Sequence, residues 1–220
     1  MRILFLHGWG QDKNVWNNLV PKFGREASAI DLPGFGKEKL VSKNWTISNY
    51  AKWVISKINK DKKYVIVGHS FGGRVAAEIA SKNPEWLSGL VLSAAPCVYK
   101  PSNRTKLKIF IYKFLKNFVP SRFHDLFYSI DQKNAKKLGL YNIFKNSVVY
   151  DQKNSLSKIK VPTLLIWGDI DNTVPLRIAL DINRLIKNSQ LRIIEGATHN
   201  SFADNPNLFY GYVKTFIKSI

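Results

Sequence analysis

Short apolar runs rich in β-branched residues alternate with stretches of helical period along this chain, and that alternation is its main structural signal. Ile3-Leu4-Phe5-Leu6, Val65-Ile66-Val67 and Thr163-Leu164-Leu165-Ile166-Trp167 are apolar throughout. The pattern predicts strands near 2–7, 26–31, 63–69, 87–93, 161–167 and 190–195, and helices near 14–20, 45–59, 72–82, 175–187 and 205–218. Strand followed by helix, repeated in this way, argues for a parallel sheet with helices on both faces. The chain has no internal repeat, low-complexity tract or Pro/Gly/Ser linker, and 220 residues suit one domain with a small insertion.

Residues 97–157 break the alternation. They divide the chain into a body, 1–96 and 158–220, and an inserted segment. Leu107, Phe110, Ile111, Phe114, Leu115 and Phe118 fall on one face of a helix, with Lys106, Lys113 and Lys116 elsewhere on it. Two readings stay open for this stripe: packing the insert on the body, or lining a pocket beneath it.

The chemistry starts at Val65-Ile66-Val67-Gly68-His69-Ser70-Phe71-Gly72-Gly73. A strand runs into G-x-S-x-G and a helical pattern follows at once. That context sets Ser70 on a strained turn with its hydroxyl pushed out above the sheet. Gly68 and Gly72 are small because strand and helix must pass close together there. Upstream, the first strand runs into His7-Gly8-Trp9-Gly10. Downstream, one strand runs into Gly168-Asp169-Ile170-Asp171, and the last into Gly196-Ala197-Thr198-His199. Serine, acid and histidine therefore follow in that order, each at the C-terminal end of a strand, the edge where open α/β sheets bind ligands.

These motifs resemble the α/β-hydrolase superfamily over almost the whole chain apart from 97–157. The resemblance implies the α/β-hydrolase fold with a mostly parallel sheet of about six strands, the N-terminal hairpin of fuller members missing, and 97–157 as a helical lid. It implies Ser70 as nucleophile and His199 as its base. Of the other histidines, His7 is expected to brace its turn, His69 to be fixed inside the elbow and turned away from the reacting groups, and His124 to lie in the lid. The family run G-x-x-D-x-x-x-P aligns with Gly168 to Pro175 and selects Asp171 as the acid over Asp169. The oxyanion donors are the backbone N–H of Phe71 and, by resemblance, that of Trp9. Asp31 is expected to close the turn after the second strand, and Cys97 to be a small buried residue.

A serine at the elbow sets aside the dehalogenases and epoxide hydrolases of this fold, which use aspartate there. Ester hydrolysis comes first among what remains, with amide or C–C bond hydrolysis as alternatives and a non-catalytic ligand-binding protein as a remote one. His-Gly-Trp-Gly, Val15-Trp16, Asp31-Leu32-Pro33-Gly34-Phe35-Gly36 and Ala95-Pro96-Cys97 also resemble esterases that remove a methyl ester from an acyl chain on an acyl carrier protein. The expected substrate is thus a small-molecule or carrier-linked ester, with an acidic carrier protein as possible partner.

The formal net charge of +19 fits an acidic partner. It does not indicate nucleic acid, because 26 of the 34 basic residues are Lys and no nucleic-acid motif is present. The insert carries 12 Lys/Arg against 3 Asp. No apolar run reaches the ~18 residues of a membrane span. A lone cysteine excludes an internal disulfide and, with no signal-like leader, points to the cytoplasm. No metal-ligand spacing and no G-x-G-x-x-G is present, so no cofactor or metal is expected.

Overall fold

The computed structural model describes residues 1–100 and 130–220. Six strands form one sheet: β1 (Arg2–Leu6), β2 (Ala27–Ile30), β3 (Tyr64–His69), β4 (Leu87–Ser93), β5 (Thr163–Gly168) and β6 (Ser189–Ile194). Their order is β2-β1-β3-β4-β5-β6, and every pairing is parallel. The chain steps outward from β1 to β2, then crosses back to β3. The reversal lies between β1 and β3, and the crevice at their C-terminal ends is where such sheets hold ligands.

The inner strands β1, β3, β4 and β5 are largely apolar because both faces are covered, whereas the edge strand β6 carries Gln190 and Arg192. Side chains alternate across the sheet. Leu4, Leu6, Ile66, Leu92, Leu165 and Trp167 join one core, with α1 (Ile47–Ser56), α2 (Ser70–Ala80) and a later helix, Leu176–Leu185. Ile3, Phe5, Val65, Val67, Val91, Leu164 and Ile166 join the other, beneath a helix over Pro206–Lys218. Trp16 is fully buried in this second core, its ring 4.4 Å from Phe202 and 5.1 Å from Phe5.

All six expected strands form. The helix expected over 14–20 does not. A 3-10 turn, Lys13–Trp16, stands there, followed by a second 3-10 stretch over Val20–Glu26. Pro21 lacks a backbone donor, and Gly24 has φ 76°, outside any right-handed helix. The helix of the serine motif starts at Ser70, two residues earlier than expected, because the turn has no spacer between strand and helix.

Between β4 and β5 the described part of the insert forms α3 (Ile130–Lys137), α4 (Tyr141–Val149) and α5 (Lys153–Leu156). The Leu107–Phe118 stripe, Lys106, Lys113, Lys116 and His124 lie outside the described residues. The insert's two ends meet. The Gln152 N–H donates to Cys97 O at 2.9 Å, and the Tyr99 N–H donates to Asp151 Oδ1 at 3.4 Å. The returning end is tied to α2: Gln152 Nε2 donates to Arg74 O at 3.0 Å, the Arg74 guanidinium donates to Tyr150 O, and the Tyr150 hydroxyl donates to Glu78 Oε2 at 3.1 Å. The remaining helices are α6 (Leu176–Leu185), α7 (Ser201–Asp204) and α8 (Pro206–Lys218). Asn205 caps α8, accepting from the Leu208 N–H at 3.1 Å, with Pro206 in the first turn. Among the described residues no helix is long and apolar enough to cross a membrane.

Candidate active site

The turn at Ser70 is set by what cannot fit around it. Ser70 has φ 48°, a left-handed conformation that costs a residue with a side chain on the order of 1–3 kcal/mol. A Cβ on Gly72 would stand 2.5 Å from the carbonyl oxygens of both Leu6 and His7. One on Gly68 would stand 2.6 Å from Gly72 O. Glycines let β3 turn into α2 against the end of β1, and the Gly72 N–H donates to His7 O at 3.0 Å. The Phe71 N–H lies in the first turn of α2, where no intrahelical acceptor exists.

The loop after β1 packs beside this elbow. His7 donates from Nδ1 to Gly8 O at 2.8 Å and accepts at Nε2 from the Leu32 N–H at 2.9 Å. Both ring nitrogens are occupied, and burial holds its pKa below the ordinary histidine value. It braces the loop, as expected. The Trp9 ring lies 5.4 Å from Phe71, 5.1 Å from Phe35 and 5.1 Å from Phe144 of α4, so Trp9 joins the body to the insert.

Asp171 and His199 come together across the loops after β5 and β6. His199 Nδ1 lies 2.9 Å from Asp171 Oδ2. The other oxygen, Oδ1, accepts the N–H groups of Thr173 and Val174, each at 2.8 Å. The Asp171 side chain is fully buried, while the His199 side chain is 18% exposed. Asp169 points to solvent and is not the partner of His199. Thr198 is fixed by Asp204, whose Oδ2 accepts both its N–H and its hydroxyl at 2.7 Å. The His199 ring lies 4.8 Å from the ring of His69, the residue before Ser70. That places the imidazole over the elbow, although no hydrogen bond joins Ser70 to His199 in this structure. Such bonds often tighten only once substrate is bound.

His69 is buried, with Nδ1 3.2 Å from Ser93 O and its ring against Phe202. It is turned under His199 instead of away from the reacting groups. Burial, and then the neighbouring His199, lower its pKa to about 3, so it stays neutral at working pH. Asp31 accepts the N–H groups of Lys13 at 2.8 Å and Lys37 at 3.0 Å and closes the turn after β2. Burial pushes its carboxyl up, but those two bonds and the Lys13 charge outweigh it and hold the pKa below the ordinary value. Cys97 is buried, and burial raises its thiol pKa to about 12, which removes it as a nucleophile. Among the described residues no cluster of three or more His, Cys, Asp or Glu is arranged to hold a metal ion.

The site also contains residues that the motifs do not announce. Gln11 and Asn200 meet between the loop after β1 and the loop after β6, 3.1 Å apart. They lie 189 positions apart in sequence, in loops without periodicity, so no pattern links them beforehand.

A strained serine at a strand–helix elbow, at the switch point of a six-stranded parallel sheet and beside an imidazole held by a buried carboxylate, is the arrangement of a hydrolase. A family model described as alpha/beta hydrolase fold matches residues 2–119 and 122–206, and the chain belongs to that family. Among its relatives is the pimeloyl-[acyl-carrier protein] methyl ester esterase of Wigglesworthia glossinidia brevipalpis, 30% identical over 250 residues that cover 99% of this chain and 94% of that one. The protein of the same name from Neisseria meningitidis is 26% identical, over 100% of this chain and 77% of its own. Among solved structures, a thermophilic esterase from Thermogutta terrifontis superposes with a TM-score of 0.76 at 21% identity, covering 100% of this chain and 90% of that one; this likeness shows the fold. The fold and family expected from the motifs are borne out.

Proposed function

We propose that this protein hydrolyses carboxylic esters by acyl transfer through Ser70, His199 and Asp171. The observation that carries the reading is the Asp171–His199 pair, 2.9 Å apart, with its imidazole ring 4.8 Å from that of His69 in the elbow that presents Ser70. Ser70 Oγ attacks the ester carbonyl while its proton passes to His199 Nε2, the nitrogen facing away from Asp171. The developing oxyanion is held by the N–H groups of Trp9 and Phe71. Collapse expels the alcohol, which takes the proton from His199. Water then attacks the acyl-enzyme by the same route and the acid leaves. Asp171 keeps the imidazole in the tautomer that presents Nε2 as acceptor. Each step balances with water as the only co-reactant.

The substrate we infer is a methyl ester on an acyl chain carried by an acyl carrier protein. The names of the two relatives support this, as does a net charge of +19, which attracts an acidic carrier. Residues 97–157 would act as the lid over that acyl chain, with Trp9 and Phe144 at its contact with the body. A lone buried thiol suits a cytoplasmic protein.

The test is a comparison of wild type with Ser70→Ala on p-nitrophenyl esters of increasing chain length and on a pimeloyl-carrier-protein methyl ester. Wild type should turn over at least one of them, and Ser70→Ala should lose at least ~1,000-fold in kcat with the fold intact by circular dichroism. Residual activity above a tenth of wild type would misassign the nucleophile. Preference for the free ester over the carrier-linked one would remove the carrier from the reading.

A further inference from the structure

Trp9 donates from a peptide plane whose orientation is set elsewhere. In a trans peptide the C=O of one residue and the N–H of the next point in opposite directions. The Trp9 N–H therefore points opposite to Gly8 C=O, and whatever holds Gly8 O aims the Trp9 N–H. Two donors hold that oxygen: His7 Nδ1 at 2.8 Å and the Gln11 N–H at 3.3 Å. On the other side of the same residue, the Gly8 N–H donates to Gln11 Oε1 at 2.9 Å. Gln11 thus grips Gly8 from both ends.

The rest of the Gln11 amide reaches across the site. Its Nε2 donates to Asn200 Oδ1 at 3.1 Å, and Asn200 directly follows His199. The two contacts fix which end of the amide is oxygen, because exchanging them would set NH2 against the Gly8 N–H. Asn200 is anchored through its backbone, its carbonyl accepting the N–H groups of Ala203 at 2.7 Å and Asp204 at 3.1 Å. Its side chain makes no capping bond to α7 and instead serves Gln11 and the buried ring of His69. Gly8 has no room for a side chain: a Cβ there would stand 2.8 Å from Gln11 Oε1 and 2.9 Å from His69 Cδ2.

We propose that Gln11 and Asn200 form a bridge that sets the loop carrying the Trp9 N–H at a fixed distance and angle from the turn carrying His199, making Gln11 a positioning residue of the reaction. The inference rests on the acyl-transfer reading above. In that reaction the carbonyl oxygen must meet the Trp9 N–H while the serine proton meets His199 Nε2. Both groups act on one tetrahedral centre, so an error of an ångström between them is costly. The bridge joins the Gly8 backbone to the residue after His199, so its loss should fall on the chemical step.

The test measures kcat and KM on a p-nitrophenyl ester for wild type, Gln11→Leu, Asn200→Ala and the double variant, with Ser70→Ala as blank. Gln11→Leu should lower kcat at least ~10-fold with KM within about twofold. Asn200→Ala should lower kcat in the same direction. The double variant should be no more than about twofold below Gln11→Leu, since a bridge cut once is already cut. Wild-type kcat in Gln11→Leu would overturn the proposal, as would independent, multiplying losses in the cycle. A rise in KM that matches the fall in kcat/KM would assign Gln11 to substrate binding and overturn it too. If Gln11→Leu fails to fold, Asn200→Ala decides alone: a lower kcat at unchanged KM supports the bridge, and wild-type kcat overturns it. No Ser70-dependent turnover in wild type would instead defeat the acyl-transfer reading, and the bridge with it.

Discussion

The two halves of the site are built by opposite means. The Ser70 elbow is held by exclusion: Gly68, Gly72 and Gly73 let backbone pass backbone with no space for one more carbon. The Asp171 turn is held by attraction: one carboxylate takes two backbone N–H groups on one oxygen and an imidazole on the other. The first depends on size and is blind to charge. The second depends on charge and is tolerant of size. A related carboxylate device appears at Asp31, where the donors are the backbone N–H groups of Lys13 and Lys37, one on each oxygen, and no hydrogen bond to an imidazole is made among the described residues. A buried aspartate on two backbone donors is thus a way of closing a loop in this protein, and one of its two uses also holds a base.

An isosteric change of charge separates the halves most sharply. Asp171→Asn should reduce kcat by about 10,000-fold, because a carboxamide favours the wrong imidazole tautomer. Asp169→Asn should change it less than about threefold, since that side chain faces solvent. Steady-state kinetics on one ester decide between them, and the reverse ranking would move the acid to Asp169. The matching change of size belongs to the elbow. Gly72→Ala should destabilise the fold by about 2–4 kcal/mol in urea unfolding, because its methyl group meets two carbonyl oxygens that cannot retreat without shifting β1. Wild-type stability there would show that the elbow is not held by exclusion.

The smallest effect is a pH slope. His69 titrates near 6.5 in the unfolded chain and about 3 in the folded one. Its contribution to stability is therefore present above pH 6.5 and is lost as pH falls toward 3, because only the unfolded chain binds the proton in that window. The loss should be up to about 1.4 kcal/mol per pH unit, and the depressed pKa of His7 acts with the same sign. Urea midpoints between pH 6.5 and 4.5 should fall more steeply for wild type than for His69→Phe. Equal slopes would mean that His69 is protonated in the folded protein and that its side of the site does respond to charge.

The strands and the three motif residues were legible because each has a local signature. An apolar run bounded by glycine marks a strand, and G-x-S-x-G between strand and helix marks the elbow. Residues 14–20 misled because Val15, Trp16, Leu19 and Val20 have helical spacing, while Asn17, Asn18 and Pro21 favour turns and carry the chain through two 3-10 stretches instead. Arg74 and Glu78 are the two charged residues of α2, yet both are buried, because the returning end of the insert covers that face. The Gln11–Asn200 bridge had no signature at all. Its partners are ordinary polar loop residues, and only the folding of the sheet makes them neighbours.

The meeting of the insert's ends reaches beyond this chain. With Cys97 and Gln152 joined by one hydrogen bond, the chain leaves the body and returns to it at two adjacent pegs. Doubling the length of a flexible loop costs only about 0.6 kcal/mol in closure entropy. The returning peg is fastened to α2 through Arg74, at Gln152 itself and at Tyr150 just before it. A segment of another length or sequence that kept the ring contact of Phe144 with Trp9 could be seated on the same two points with the elbow, the carboxylate turn and the sheet in place. Under the proposed lid role of residues 97–157, substrate range would be a replaceable part, open to exchange as a cassette, while the reaction chemistry stays with the frame.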